Sequence, residues 1–193
     1  MTKNEILKRF HNGESFIGAK LQKLDLSGAT LTSINFIEAD LTGATFGKSR
    51  LNEANFNHAN LSNADFSGAI LKNAYFVGAN LTNANFENAD LEGAFLSGAI
   101  LSGTNFRGAN LRRATLGSPH WVVSDAFGEL TSFENANLEG AIFGETVMKG
   151  VILLGANLKD AYLYEVDLSE VVYHPSDVAN AITKKAFQES MWD

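Results

Sequence analysis

The chain has 193 residues, of which 45% are hydrophobic, enough for one folded domain or one continuous repeat array. It contains no cysteine, which excludes disulfides, thiolate metal sites and a cysteine nucleophile. The net charge of −7 is concentrated after Ser118, where twelve acidic and four basic residues give a balance of −8. This acidity disfavours direct binding of nucleic acid or of anionic membranes.

Residues 1–13 predict an N-terminal capping helix. Thr2 and Glu5 have the spacing of a capping box. Three apolar residues can cover the first repeat: Ile6, Leu7 and Phe10. The N-terminus lacks an apolar run of signal-peptide length, and no later segment approaches the ~20 apolar residues of a membrane span. We therefore expect a cytoplasmic protein that does not enter a membrane.

Residues 14–173 carry a large apolar residue, mostly Leu or Phe, at every fifth position. The first 22 of these central positions, from Phe16 to Trp121, have no gap, and alanine stands two residues before 16 of them. A helix would rotate such positions off any single face, and a straight strand would place them on alternate faces. Both objections disappear if the chain bends by about a right angle every five residues, because four bends then close a coil. Alanine is required because a second bulky side chain on each side would overfill the interior.

This pattern resembles the pentapeptide-repeat family, whose consensus is A-(D/N)-L-X-X. The segments "ADFSG" at 64–68 and "ANLTN" at 79–83 match it, and the resemblance extends from about Phe16 to Tyr173. It implies an all-β solenoid: a right-handed quadrilateral β-helix of about seven to eight coils, with four pentapeptides in each coil and short helical caps at both ends.

A loop around residues 117–130 interrupts the repeat, because the next clear central residue after Trp121 is Phe133. The loop contains either two extra residues, or seven with one side of a coil replaced. Seven is favoured, because Phe133 and Phe143 then fall on sides that already carry Phe, and Leu138 falls on a Leu side.

Loops that interrupt a regular scaffold often carry function, although tolerated insertions are also common. The candidate functional residues of this loop are His120, Trp121, Asp125 and Phe127. Ser118, His120, Ser124 and Asp125 could be imagined as a nucleophile, a base and an orienting group, but no nucleophile-elbow motif accompanies them. We therefore expect no catalytic residues and no enzymatic activity.

Residues 174–193 predict a C-terminal capping helix and tail. The helix would begin near Ser176, with Val178, Ile182 and Ala186 at four-residue spacing. Besides covering the last coil, this segment could form a homodimer contact, because three apolar residues follow the predicted helix face: Phe187, Met191 and Trp192.

Other polar residues offer weaker site signals. The four histidines lack metal-ligand spacing, so we expect neither a metal site nor a cofactor. Arg107, Arg112 and Arg113 lie near one corner of the predicted coil and could hold a phosphate or an acidic partner, although a solvated face is the favoured interpretation.

One side of the predicted coil places apolar residues outward, where other sides carry mostly polar ones. With the seven-residue insertion, this candidate contact stripe comprises Ile17, Ile37, Tyr75, Val77, Phe95, Ile142, Tyr162 and Tyr164. A contiguous apolar stripe typically marks a contact surface, although the β-propensity of these residues or self-association also accounts for it.

The sequence thus favours a noncatalytic protein-binding scaffold whose partner is unidentified. The alternative comes from the resemblance, because some pentapeptide-repeat proteins mimic duplex DNA and bind DNA gyrase through an acidic rod, often as dimers joined at their C-termini. The acidic balance after Ser118 fits that alternative, whereas the near-neutral first 118 residues do not.

Overall fold

The computed structural model describes residues 1–117, 131–144, 146, 148–164 and 166–182. The chain begins with helix α1, Lys3–His11, whose N-cap is Thr2. The Thr2 hydroxyl accepts a hydrogen bond from the Glu5 backbone N–H, and the Glu5 carboxylate accepts one from the Thr2 N–H at 2.7 Å. Ile6 is fully buried, and Leu7 and Phe10 pack against the core, so α1 lays its apolar face on the repeat region.

The repeat region is a solenoid in which equivalent residues of successive coils pair in parallel, 20 residues apart. The bridges are isolated, one in each five-residue segment, because the chain turns before a longer strand can form. Phe66 N–H donates to the Asn85 carbonyl of the next coil at 2.7 Å, and Asp65 N–H donates to the Ala44 carbonyl of the preceding coil at 3.0 Å. Each segment is therefore held by neighbours on both sides.

A tight turn closes each five-residue segment. In the segment 64–68 the Ala69 N–H donates to the Phe66 carbonyl at 2.9 Å, and the corner residue Gly68 has φ +61°. The Asp65 carboxylate accepts the Ser67 N–H at 2.9 Å, which explains why Asp or Asn so often precedes the central residue. Asparagine also occupies corners, as Asn63 does at φ 58°, because its side chain tolerates the left-handed region.

The bridges form four columns, which define the four sides of the solenoid. Side A carries Asn35, Asn55, Tyr75, Phe95, Thr115, Ile142, Tyr162 and Ile182; side B carries Lys20, Asp40, Asn60, Asn80 and Ile100. Side C carries Asp25, Thr45, Asp65, Asn85, Asn105, Ser132, Ile152 and Val172; side D carries Thr30, Arg50, Ile70, Asp90, Asn110, Asn137 and Asn157. From Lys20 to Tyr162, the described central residue that follows each bridge residue is buried in the core.

The core is built from side chains stacked in columns: the central residues are Leu throughout the described part of side D, mostly Phe on side C, and both Phe and Leu on side A. Phe46 and Phe66 of side C stack with centroids 4.7 Å apart and planes 3° apart, the spacing of neighbouring strands. Phe66 also meets Phe76 of side A edge-on, at 5.9 Å and 89°. The alanines that precede the central residues are buried as well, in agreement with the predicted steric role.

The register across the interruption confirms the seven-residue alternative. Asn105 pairs with Ser132, and Asn110 with Asn137, so the offset is 27 residues instead of 20. Phe133 consequently stacks on Phe106, at 4.9 Å and 2°, and the core continues without a change of residue type on this side.

The C-terminal end differs from the prediction. Helix α2 comprises only Pro175–Val178, and Ile182 pairs with Tyr162 instead of continuing a helix. The Ile182 N–H donates to the Ala161 carbonyl at 2.7 Å, and the Ile182 carbonyl accepts the Leu163 N–H at 3.0 Å. These backbone hydrogen bonds hold Ile182 in the solenoid, so the helix does not extend as the four-residue apolar spacing predicted. Residues 183–193, with the predicted dimer contact, lie outside the described residues. Within the described part of the chain, no helix has the length and apolar character needed to cross a membrane.

Candidate interaction surface

The apolar residues predicted to form a contact stripe all lie on the outside of side A. Five of them are exposed: Ile17 by 55%, Tyr75 and Phe95 by 38%, Tyr162 by 45% and Tyr164 by 39%. The remaining three, Ile37, Val77 and Ile142, are half-buried.

The structure divides this set into two parts. The column Asn35, Asn55 and Tyr75 places two polar residues before the first aromatic one. The Asn57 side chain, between the coils of Ile37 and Val77, accepts the Val77 N–H at 2.9 Å. Ile17 and Ile37 are thus separated from the rest. We use the name side A stripe for the other part, namely Tyr75, Val77, Phe95, Ile142, Tyr162 and Tyr164.

The side A stripe follows one continuous column of bridges. Phe95 pairs with Tyr75 in one direction and with Thr115 in the other, and Ile142 joins Thr115 to Tyr162. The rings of Tyr75 and Phe95 stack with centroids 5.0 Å apart and planes 8° apart. Because the coils hold these rings in fixed rows, the stripe offers a preorganised apolar surface.

The outward residues described on side A from Tyr75 to Tyr164 carry no charge. Besides the stripe they are small or hydroxylated: Gly78, Ser97, Gly98, Thr115, Gly117 and Gly144. Over the same coils the corner between sides D and A carries two exposed charges, Arg113 and Asp160, and Glu53 lies at this corner in an earlier coil. Glu145 and Glu165, which follow side A in the sequence, lie outside the described residues.

Sides C and D differ from side A because their polar residues bind one another. The Asn85 amide donates to the Asp65 carboxylate at 3.0 Å, and the Asn110 amide donates to the Asp90 carboxylate at 2.8 Å. The Lys72 ammonium lies 2.8 Å from the Glu92 carboxylate, and hydrogen bonding between them lowers the pKa of Glu92 and raises the pKa of Lys72. Such ladders satisfy these side chains without an outside partner.

The predicted arginine cluster is partly used in the same way. The guanidinium of Arg112 lies 3.3 Å from the Glu139 carboxylate, and that of Arg107 lies 3.9 Å from Glu134. With acids beside two of its three members, the cluster is a poor anion site, and the solvated-face interpretation fits it better.

A second apolar patch was missed by the sequence analysis. Leu154 and Val172 are 42% and 49% exposed on side C, next to the half-buried Ile152. Leu154 follows the central residue Leu153, and Val172 precedes Tyr173, the central residue of the following coil. Both are outward positions of the repeat, so the patch could have been detected in the sequence. The patch is confined to the last coils, and Ile100 on side B is an isolated exposed residue.

The remaining candidate residues form no chemical centre in the part that can be described. His120, Trp121, Asp125 and Phe127 lie outside the described residues. His174 caps α2, and His11 contacts the Leu7 carbonyl at 2.6 Å. Among the residues with a described position, no group of three or more His, Asp or Glu side chains could hold a metal ion.

Stacked five-residue segments with a buried, mostly Leu or Phe, central residue define a solenoid repeat protein, a class whose outer sides form binding surfaces. The family model described as pentapeptide repeats (8 copies) matches residues 15–47, 34–73, 49–88, 79–117 and 131–169. These matches span well over half of the chain, which therefore belongs to the pentapeptide-repeat family.

Two solved structures show the same fold. HetL, a pentapeptide repeat protein involved in heterocyst differentiation regulation in the cyanobacterium Nostoc sp. strain PCC 7120, is 26% identical, with a TM-score of 0.52 over 89% of this chain and 86% of HetL. A trypsin-treated variant of QnrB1, a plasmid-mediated fluoroquinolone resistance protein, is 19% identical, with a TM-score of 0.51 over 91% of this chain and 89% of its own. No curated protein matches the chain.

Proposed function

We propose that this chain is a noncatalytic binding scaffold, a rod of about seven to eight four-sided coils, whose side A stripe binds a protein partner. The observation that carries this function is the contrast between the sides. Polar side chains on sides C and D bond to one another along the rod. Exposed rings of Tyr75, Phe95 and Tyr162, in contrast, stand on a part of side A whose described outward residues carry no charge.

The chemistry of the stripe defines the kind of partner. Four aromatic rings, each about 40% exposed, offer roughly 300 Å² of apolar surface at about 200 Å² per ring. A patch of this size is at the scale at which exposed apolar area on a monomer often has a function. The partner surface should be apolar and should match the shape of the stripe, because the coils hold the stripe rigid. The similarity to HetL, a regulatory protein, supports a role in regulation.

A capture experiment tests the stripe. The chain and its variant Tyr75→Ser/Phe95→Ser are immobilised, and proteins of the source cell are captured and compared. We expect the variant to lose specific proteins that the original chain retains. The matched control is Ile100→Ser, because Ile100 is also an exposed apolar residue, by 48% against 38% for Tyr75 and Phe95, but lies on side B. Equal recovery by the original chain and the Tyr75/Phe95 variant would reject the stripe as the binding surface.

A second function, modulation of DNA gyrase by mimicry of duplex DNA, is favoured by the balance of −8 after Ser118. The charged ladders count against it, because Lys72, Arg107 and Arg112 alternate with acids along the rod. It predicts salt-sensitive gyrase binding and inhibition of supercoiling. Lack of binding at low ionic strength would dismiss it.

A further inference from the structure

The side A stripe has an uneven profile along the rod. Its column reads Phe95, Thr115, Ile142, Tyr162 and Ile182, one residue in each successive coil. Thr115 and Ile142 therefore separate the rings of Phe95 and Tyr162, and the surface is lowest at Thr115, where Gly117 follows on the same segment. An opposing flat surface can pack closely on this profile only if it places a bulky side chain opposite Thr115.

The corner between sides D and A carries charges in the same rows. Arg113 stands two residues before Thr115, and Asp160 stands two residues before Tyr162. Both are exposed, and both are corner residues with a positive φ, 56° and 57°. Neither belongs to an ion pair between described residues.

We propose that the side A stripe also pairs two copies of this chain face to face, antiparallel, about a two-fold axis that crosses side A at Ile142. This axis places Tyr162 of one copy over Thr115 of the other, and Phe95 opposite Ile182. The same operation brings Arg113 of each copy to Asp160 of the other, so that one register satisfies both shape and charge.

The symmetry explains why a second copy fits better than an arbitrary partner. A two-fold interface is self-complementary, so every contact occurs twice and a single surface must carry both halves of it. The stripe meets this condition because Tyr162 of each copy faces Thr115 of the other. The corner meets it because Arg113 of each copy faces Asp160 of the other. The described outward residues of side A from Tyr75 to Tyr164 carry no charge, so no like-charge pair among them opposes the contact.

The small contact area limits the affinity of the two copies for each other. The overlap covers five coils, about 24 Å at ~4.8 Å per coil. Three exposed rings supply roughly 250 Å² per copy at about 40% of ~200 Å² each, well below the ~800 Å² per partner of a stable complex, even with the rim added. The dimer is therefore reversible and concentration-dependent, and the rim charges fix its register more than its strength.

Sedimentation velocity over a series of protein concentrations tests the pairing. The full chain should shift from monomer to dimer as its concentration rises. Arg113→Glu and Asp160→Arg should each weaken dimerisation at least tenfold, and the combined variant, which exchanges the two charges, should restore it. Lys159→Glu is the matched control, since it reverses an exposed charge beside Asp160 but on the outward face of side D.

Four results overturn the proposal: a chain that stays monomeric at every concentration, dimerisation unchanged in Phe95→Ser/Tyr162→Ser, no recovery in the combined charge variant, or loss of the dimer in Phe187→Ser/Trp192→Ser alone. Because Phe95, Arg113, Asp160 and Tyr162 are exposed, circular dichroism should show unchanged folding in the variants at these positions. The pairing shares its surface with the proposed function, but its failure is distinguishable. A monomeric Arg113→Glu variant keeps the stripe, so its capture of a partner tests the proposed function separately.

Discussion

Replacing Phe66 by alanine tests whether the stacked rings stabilise the solenoid. The Phe66 ring is fully buried and has four aromatic neighbours. It stacks on Phe46 and Phe86 at 4.7 Å, and it meets Phe56 and Phe76 edge-on at 5.6 and 5.9 Å. The substitution removes all four ring contacts and leaves a cavity in the middle of the rod.

We expect Phe66→Ala to lower the free energy of unfolding by about 4 to 5 kcal/mol, the upper part of the range for buried Phe→Ala changes. The cavity cannot collapse easily, because the backbone of each coil is fixed on both sides, for example by the Phe66 N–H bond of 2.7 Å to the Asn85 carbonyl. Four ring pairs at about 0.5 to 1.5 kcal/mol each give a consistent figure. This loss is a large fraction of the ~5 to 15 kcal/mol that stabilises a typical domain.

Phe16→Ala is the matched control at the end of the stack. Phe16 has one aromatic neighbour, Phe36 at 5.6 Å and 44°, and the Arg9 guanidinium lies 5.3 Å from its ring centre. The first coil can close partly over the gap, so we expect a loss of about 2 to 3 kcal/mol. Urea unfolding followed by circular dichroism measures both variants. A cost for Phe66→Ala no greater than that for Phe16→Ala would refute stacking as the source of stability.

Two further predictions concern a glycine and a carboxylate. Gly117→Ala should lower the free energy of unfolding by at least about 2 kcal/mol, because its Cβ would lie 1.6 Å from the Phe143 carbonyl oxygen. The matched control is Gly47→Ala, whose Cβ would have only ordinary contacts. It should change the free energy of unfolding by less than about 0.5 kcal/mol in the same urea assay. The backbone N–H and hydroxyl of Ser27 lower the pKa of Asp25 to about 2 from its usual 3.8, so the stability contributed by its charge is complete above pH 4 and is lost as the pH falls through about 2.

These two predictions have direct checks. Equal stability of the Gly117 and Gly47 variants would show that the backbone at Gly117 can move away from Phe143 at no cost in free energy of unfolding. For Asp25, nuclear magnetic resonance should report the lowered pKa, and Asp25→Asn should flatten the loss of stability between pH 4 and pH 2. An unchanged acid profile in that variant would assign the loss to other carboxylates.

The five-residue period alone was sufficient to predict the solenoid. A large residue at every fifth position, with alanine two residues before it, is compatible only with a chain that corners at that interval. The period also predicted the seven-residue interruption, since Phe133 and Phe143 keep Phe-bearing sides only with that length. These features are local and repetitive, so neighbouring coils merely multiply what each segment already specifies.

The tertiary structure decided what depends on pairing between coils. The spacing of Val178 and Ile182 favoured a longer helix, but ladder bonds to Ala161 and Leu163 hold Ile182 in the solenoid. Hydrogen bonding of Asn57 to the next coil separated Ile37 from the side A stripe. Which charges are paired and which remain exposed, as at Arg113 and Asp160, also follows from contacts 20 or 27 residues apart. A single segment carries no record of its neighbours above and below, so only the stacked chain could reveal them.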